Sequence, residues 1–287
     1  MNILITGSNG YIGSNLLNKI NRNIRDVNLI PHNRSICDLT NRRGLGDFSE
    51  SIPKPEIVIH SAAKANSVEY KNSNDVLYNN IVGTQNLIEC FPDSYHIFFS
   101  SIVIYNSAGN FHKTNASVGP KSIYGASKVA CENLYKVAKV ISKTKSVWLR
   151  TCAVVGGENY THGLINAIIN KIQENPYEIE LFGKNPGSVK PYIHIDDVFF
   201  KVKELIDNYT KGYTEIQESV LTTKQPLSVL GVANIIFEKY GVNPKINWRP
   251  DKVWKGDNKT IRYSGYYETE HYKTSEEALK NIDREIY

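Results

Sequence analysis

Tyr124 and Lys128 are the two residues of this chain whose types and spacing suit proton transfer. They stand in Ser122-Ile123-Tyr124-Gly125-Ala126-Ser127-Lys128, behind the turn-forming pair Gly119-Pro120. A separation of four on a helix puts the phenol and the ammonium on one face. A phenol titrates near pH ~10 and is a poor base at neutrality, but a neighbouring cation favours the phenolate and brings it toward a working value. Such a pair can exchange a proton with the hydroxyl of a sugar or alcohol. The chain has 18 tyrosines, however, and a Tyr four residues before a Lys is in most helices a surface pair of little consequence. Its meaning depends on the elements that hold it.

The amino-terminal half alternates strand and helix patterns. Asn2 to Thr6 reads as a short apolar strand, followed by Thr6-Gly7-Ser8-Asn9-Gly10-Tyr11-Ile12-Gly13 and a helical run from Ser14 to Ile20. A strand, three glycines spaced by three and then a helix lets backbone N–H groups and a helix N-terminus meet a pyrophosphate. Val27 to Ile30 reads as the second strand, and the segment after it, Pro31-His32-Asn33-Arg34-Ser35, carries no acid for a ribose diol. A guanidinium and a hydroxyl suit a ribose 2′-phosphate, which favours NADP(H) over NAD(H). Cys37-Asp38-Leu39-Thr40 follows, with Asp38 open to a helix-capping role. Glu56 to His60 is a third apolar strand, and the small residues Ser61-Ala62-Ala63 at its carboxyl end leave room for a ligand. Asn74 to Cys90 has helical spacing, with Leu77, Ile81, Leu87 and Ile88 as its stripe and Asn80 among them. His96 to Ser101 is a buried strand ending in two hydroxyls, and Tyr124 comes 23 residues later.

Composition excludes several other classes. With 287 residues, 41% of them hydrophobic, and no repeat or low-complexity tract, the chain can build a full core. No segment approaches the ~20 apolar residues of a membrane span, and no charged leader precedes an apolar run, so a cytoplasmic protein without membrane contact is expected. Cys37, Cys90, Cys131 and Cys152 are scattered without metal-ligand spacing, which predicts reduced thiols and no metal. The net charge of +5 is spread along the chain. Lys252-Val253-Trp254-Lys255 interleaves aromatics with charge but is too short for a nucleic-acid surface.

Together these stretches resemble the extended short-chain dehydrogenase/reductase family, and within it the nucleotide-sugar epimerases, dehydratases and ketoreductases of the NAD-dependent epimerase/dehydratase group. The likeness is carried by the glycine turn, Asp38-Leu39, His60-Ser61-Ala62-Ala63, Asn80 to Thr84, Ser100-Ser101 with Tyr105, Tyr124 to Lys128, and Lys190-Pro191-Tyr192-Ile193-His194-Ile195-Asp196-Asp197. It implies a Rossmann-type, doubly wound parallel sheet over residues 1–150 with a return segment near 190–207. Residues 151–287 are then mainly a smaller mixed α/β substrate lobe. It implies that Gly7, Gly10 and Gly13 cradle the cofactor pyrophosphate and that Asp38 and Leu39 border the adenine. Asn9, Tyr11, Ile12, Arg34, Ala62, Ala63, Lys64 and Asn80 are the further cofactor-site candidates, with Asn80 and His60 read as structural supports of the site. Ser101, Tyr124 and Lys128 are implied as the catalytic set. Ser101 hydrogen-bonds the reacting oxygen, Tyr124 transfers its proton, and Lys128 lowers the phenol's pKa and holds the nicotinamide ribose. Lys190 and, in Asn247-Trp248-Arg249-Pro250-Asp251, Arg249 are implied to meet the substrate's phosphates; pairing of Arg249 with Asp251 is the alternative. Asp196 and Asp197 are expected to cap a helix from Val198 to Asp207. A homodimer is expected by the same analogy.

Departures from the family pattern narrow the reaction. Water elimination needs a second acid and base after the catalytic hydroxyl, but Ser101 is followed by Ile102-Val103-Ile104, which disfavours dehydration and 3,5-epimerisation. Two reactions remain: reduction of a 4-keto sugar nucleotide with NADPH, favoured by Arg34, and 4-epimerisation with tightly bound NAD. Ala153 stands three residues after Arg150, where the family often has a substrate-binding Asn. A non-catalytic NADP-binding sensor is the more distant alternative.

Overall fold

A computed structural model describes residues 1–65, 73–105, 117–158, 160, 163–214, 218–223, 225–252 and 274–282. In chain order the first elements are β1 (Asn2–Thr6), α1 (Tyr11–Asn23), β2 (Asn28–His32), α2 (Arg42–Ser51), β3 (Ile57–His60) and α3 (Ser73–Leu77). A π-helical turn (Tyr78–Val82), α4 (Gly83–Cys90), β4 (Tyr95–Ser101), a 3₁₀ turn (Ile102–Ile104), α5 (Ile123–Ile141) and β5 (Ser146–Thr151) follow. Then come β6 (Ala153–Val155), α6 (Gly163–Glu174), β7 (Glu178–Phe182), β8 (Val189–Lys190), β9 (Tyr192–His194) and α7 (Ile195–Thr210). The last are β10 (Glu218–Leu221), β11 (Leu227–Ser228), α8 (Val229–Tyr240), β12 (Lys245–Arg249) and α9 (Ser275–Lys280).

The chain divides into two compact units. The first is drawn from 1–106, 117–151 and 198–220, the second from 107–116, 152–197 and 221–287. The first unit is built on a six-stranded sheet of order β10-β5-β4-β3-β1-β2. β1 to β5 all run parallel, which is the Rossmann-type doubly wound arrangement the sequence predicts. Every residue of β3, β4 and β5 is buried, as expected of parallel strands covered on both faces. Leu4, Ile30 and Val58 pack with Leu45 of α2 and Leu87 of α4 on one face, and further along Phe98 and Trp148 pack with Ile88, Cys131 and Tyr135. The right-handed crossover from β1 to β2 runs opposite to that from β2 to β3, which puts α1 and α2 on opposite faces. β2 is the edge strand, which is why it tolerates Pro31. In the second unit β6 pairs with β9 and β7 with β12, both parallel, while β8 and β11 are antiparallel. α6 packs on α8, and α9 on α8 and β9.

Three sequence boundaries move. β2 runs on to His32, so the residues after Ile30 are still strand. α7 begins at Ile195, directly after β9, and Asp196 and Asp197 lie in its first turn, where they favour the helix dipole without being the cap. Asn74 to Cys90 is helical but interrupted by the π turn at Tyr78–Val82, whose Asn80 is drawn into bonds described below. Val253 to Lys255 lies outside the described residues.

Behind β4 the sheet carries a buried ionic cluster. Arg150 donates from Nε (3.0 Å) and Nη2 (2.8 Å) to the two oxygens of Glu132, and from Nη1 to Tyr105 Oη (2.8 Å). Ser100 Oγ donates to Glu132 at 2.6 Å. The Arg150 and Glu132 side chains are only 4% and 2% exposed, so removing one partner strands a charge where water cannot reach it. Arg150→Met is expected to cost about 3–5 kcal/mol, and adding Glu132→Leu is expected to recover part of that loss; urea unfolding of the single and double variants checks it.

Burial also lowers His96 to about 4 and His60 well below its ordinary value. These groups bind fewer protons folded than unfolded, so their contribution is complete above about pH 6.5 and is lost as pH falls toward the folded values. For His96 the displacement corresponds to roughly 3 kcal/mol. Urea midpoints are expected to fall between pH 6.5 and pH 5, above the range in which carboxylates titrate; a flat profile there would contradict it.

Candidate active site

The strand order reverses at β1 and β3, and the carboxyl ends of β1, β2 and β3 open into a cleft of about 350 Å³. Gly7, Asn9 and Gly10 line it from the glycine turn, and His32, Asn33, Arg34, Cys37, Asp38 and Leu39 from the end of β2 and the loop after it. Ala62, Ala63 and Lys64 line it from the end of β3, and Asn79 and Asn80 from the π turn. Gly7 has φ +71°, and a Cβ there would sit 2.8 Å from the Ala62 backbone. A side chain would therefore both strain the turn and fill the cradle. No side chain caps α1 at Gly10, which leaves the helix N-terminus suited to an anion. Tyr11, Ile12 and Gly13 form the first turn of that helix and are not part of the cleft's lining.

Polar side chains fasten the strand ends. The buried His60 ring meets Thr6 Oγ1 at 2.7 Å and Thr84 Oγ1 at 3.0 Å, tying β1 to β3 and α4. Ser61 Oγ donates to Thr6 O at 2.7 Å. Asn80 accepts from Lys64 N (2.8 Å) and donates to Lys64 O (3.0 Å) and Ser127 Oγ (2.9 Å), joining the loop after β3 to α5. Its amide supports the cleft, and the π turn lets it reach both partners.

The cleft's outer rim is a chain of alternating charge. Lys64 bonds Asp75, Asp75 accepts from Asn79 Nδ2 (2.6 Å), Asn79 accepts from Arg34 Nη2 (2.8 Å), and Arg34 Nε donates to Asp38 (2.8 Å). Asp38 also accepts from Thr40 N (2.9 Å) and Thr40 Oγ1 (2.8 Å). Desolvation pushes its carboxyl up, but these bonds and the guanidinium outweigh it and hold it below the usual value. Asp38 is thus a cleft residue. The cap of α2 is Asn41, which accepts from Gly44 N.

The catalytic candidates lie where β4 meets α5. Ser101 ends β4 and its Oγ accepts from Val103 N at 3.3 Å, capping the 3₁₀ turn. That bond leaves its proton to donate outward. Ser122 caps α5 by accepting from Gly125 N at 3.0 Å, and a Cβ on Gly125 would come within 2.8 Å of Val103 O. A glycine here lets the first turn of α5, with Tyr124, approach the turn after Ser101. Lys128, 2% exposed, donates to Phe99 O at 2.7 Å and lies 4.7 Å from the Phe98 ring centroid and 5.5 Å from that of Tyr124. Desolvation lowers its ammonium to about 8, partly offset by Cys131 and Glu132. The expectation that Lys128 brings the phenol down meets a different balance: desolvation holds Tyr124 above its ordinary value. The phenol therefore stays protonated at neutrality.

Arg150 spends its donors on Glu132, Tyr105 and Glu218. Lys190 lies in β8 opposite Leu227, and Arg249 in β12 donates to Glu180 (2.6 Å) and with two nitrogens to Asp251 (3.0 and 2.9 Å). His32, Asn33, Cys37 and Asn79 line the cleft without having been singled out in the sequence. The strand-end position of His32 was the available signal, obscured by Pro31, which reads as a stop.

The profile of the NAD dependent epimerase/dehydratase family matches residues 3–216, and the chain belongs to that family. Among curated relatives, the ADP-L-glycero-D-manno-heptose-6-epimerase of Cupriavidus pinatubonensis is 25% identical over 69% of this chain and 67% of its own. Among solved structures, a UDP-galactose 4-epimerase superposes with TM-score 0.81 at 22% identity, covering 98% of this chain and 97% of its own. A dTDP-4-dehydrorhamnose reductase from Bacillus anthracis in complex with NADP gives TM-score 0.80 at 19% identity, covering 98% of both chains. At these identities the structures share the fold. Family members are NAD(P)-dependent enzymes, and the positive-φ glycine cradle, the uncapped helix and the strand-end cleft fit a dinucleotide. No helix among the described residues is long and apolar enough to cross a membrane.

Gly7→Ala is expected to weaken NADPH and NADH binding at least tenfold (about 1.4 kcal/mol) with an unchanged far-ultraviolet circular dichroism spectrum. Nicotinamide fluorescence titration measures it.

Proposed function

We propose that this chain reduces a 4-keto sugar nucleotide with NADPH, using Ser101, Tyr124 and Lys128. The observation that carries the reading is Tyr124 beside the buried Lys128, one helical turn apart, in the helix turn whose Gly125 closes on the turn that follows Ser101. A nicotinamide dinucleotide in the cleft supplies the hydride. Ser101, its lone pair fixed by Val103 N, donates a hydrogen bond to the substrate carbonyl and keeps its own proton while holding that oxygen in place. Tyr124 then passes its proton to that oxygen as negative charge grows there. A phenol kept protonated by desolvation is set for this direction, since an alkoxide is far more basic. Lys128, pinned to Phe99 O, keeps a positive charge beside the phenolate left behind. The buried Ile102 and Ile104 offer no second acid or base, in keeping with a reaction that needs none.

Arg34 supports NADPH, because its bond to Asp38 is a surface pair, 59% and 34% exposed, worth only about 0–1 kcal/mol. A 2′-phosphate can take that fork with little loss. Lys190 and Arg249 are assigned to the substrate's phosphates by the resemblance. The second reading is 4-epimerisation with tightly held NAD. It is favoured by Asp38, an ionised carboxylate in the cleft that can accept from ribose hydroxyls as the acid of an NAD site does.

Tyr124→Phe is expected to bind NADPH within about twofold of the native protein while turnover of 4-keto sugar nucleotides falls at least ~10²-fold, the span of general acid catalysis. Retained turnover would sink the assignment. Absence of turnover in the native protein over a panel of 4-keto sugar nucleotides, with unaltered cofactor binding, would favour the epimerase or the non-catalytic sensor.

A further inference from the structure

His32 ends β2 immediately before the loop that carries Arg34 and Asp38. It lines the cleft, is 1% exposed, and neither ring nitrogen has a hydrogen-bond partner among the described residues. Phe48 of α2 meets the ring edge to face at 5.0 Å. Ser8 of the glycine turn donates its backbone N–H to His32 O at 3.0 Å, and the Ser8 hydroxyl is likewise buried without a partner. Three polar atoms on either side of one backbone hydrogen bond therefore lack partners at the edge of the cleft. Unpartnered buried polar atoms are destabilising, and in native proteins they call for an explanation. The strand position supplies one, since dinucleotide folds meet the adenine ribose from the end of the second strand.

We propose that His32 is a specificity-determining residue of the cleft: it takes up a proton when a ribose 2′-phosphate enters and hydrogen-bonds that phosphate as an imidazolium. The proposal rests on the reading of the cleft as a dinucleotide site and adds to it the group that senses the 2′-substituent. The charges around the cleft leave room for such a group. Arg34 is matched by Asp38 and Lys64 by Asp75, so an arriving dianion meets a rim whose charges already cancel. Around the imidazole stand Arg34, Cys37 and Asp38 on the following loop, the uncharged Phe48 on α2, Ser8 on the glycine turn, and His60 at the end of β3. Burial lowers His32 and outweighs the nearby Asp38, which raises it, so the ring is neutral at neutrality before ligand arrives. Binding of a 2′-phosphate then couples to protonation, and the preference for NADPH over NADH declines as pH rises.

Calorimetric titration at pH 7.5 with adenosine 2′,5′-bisphosphate and with AMP, in buffers of different ionisation enthalpy, counts the protons exchanged. A bound phosphate, whose second pKa lies near ~6, can only release protons at this pH, so uptake reports the protein. The expected result is uptake of about half to one proton with the bisphosphate and none with AMP. His32→Gln should abolish the uptake and flatten the pH dependence of the NADPH-to-NADH affinity ratio between pH 6.5 and 8.5. Release, no exchange, or uptake that persists in His32→Gln would overturn the proposal. Should that variant fail to fold, the sign measured on the native protein decides. NADPH binding without proton uptake defeats the role of His32 and leaves the cleft's reading intact, whereas failure of both dinucleotides to bind defeats that reading itself.

Discussion

Where crossovers leave a parallel sheet in opposite directions, no helix can cover the strand ends at the reversal. Here that place is the junction of β1 and β3, and the polar architecture of the first unit answers to it. The gap needs a chain that turns within a few residues, and Gly7 at φ +71° makes the turn while keeping the approach to Ala62 open. It also exposes the ends of two neighbouring strands to any misalignment. Thr6, His60, Ser61 and Thr84 close that risk with short bonds. Asn80 extends the same bracing to α5, so the cleft and the proposed proton-transfer groups share one frame.

The frame sets the protonation of its occupants. His60 and Lys128 are both buried, and desolvation lowers the tendency of each to carry charge, with Lys128 adding to the effect on His60. Tyr124 is held as a phenol for the same reason, desolvation. A neutral imidazole at the strand ends and a phenol held above its ordinary value suit the proposed transfer of a proton to a developing alkoxide. The Glu132–Arg150 pair lies deeper and does different work: it anchors Ser100, the neighbour of Ser101, and the Tyr105 hydroxyl at the far side of the 3₁₀ turn.

Most of the sheet was legible in the sequence because parallel strands covered on both faces are unbroken apolar runs, as in Ile57-Val58-Ile59 and Ile97-Phe98-Phe99. The glycine turn was legible because its spacing follows from backbone geometry. What escaped was set by tertiary partners. The π turn at Tyr78–Val82 answers to bonds from Asn80 to residues 16 and 47 positions away, which no local pattern encodes. His32 was hidden behind a proline tolerated only because β2 is an edge strand. Arg34 and Asp38 were visible singly, but their pairing, an exposed bond across the cleft rim, needed the loop's actual path. The phenol's upward displacement likewise comes from burial that spacing does not reveal.

The central claim is that the cleft at the β1–β3 reversal holds a nicotinamide dinucleotide beside a proton-donating tyrosine. Its most direct test is nucleotide analysis of the denatured protein, followed by titration of the stripped protein with NADPH and NADH under nicotinamide fluorescence. The account predicts a protein that emerges without bound NAD and takes up NADPH at one site per chain, more tightly than NADH. Bound NAD released on denaturation with weak NADPH binding would contradict the reductase reading, and saturable binding of neither dinucleotide would contradict the claim itself.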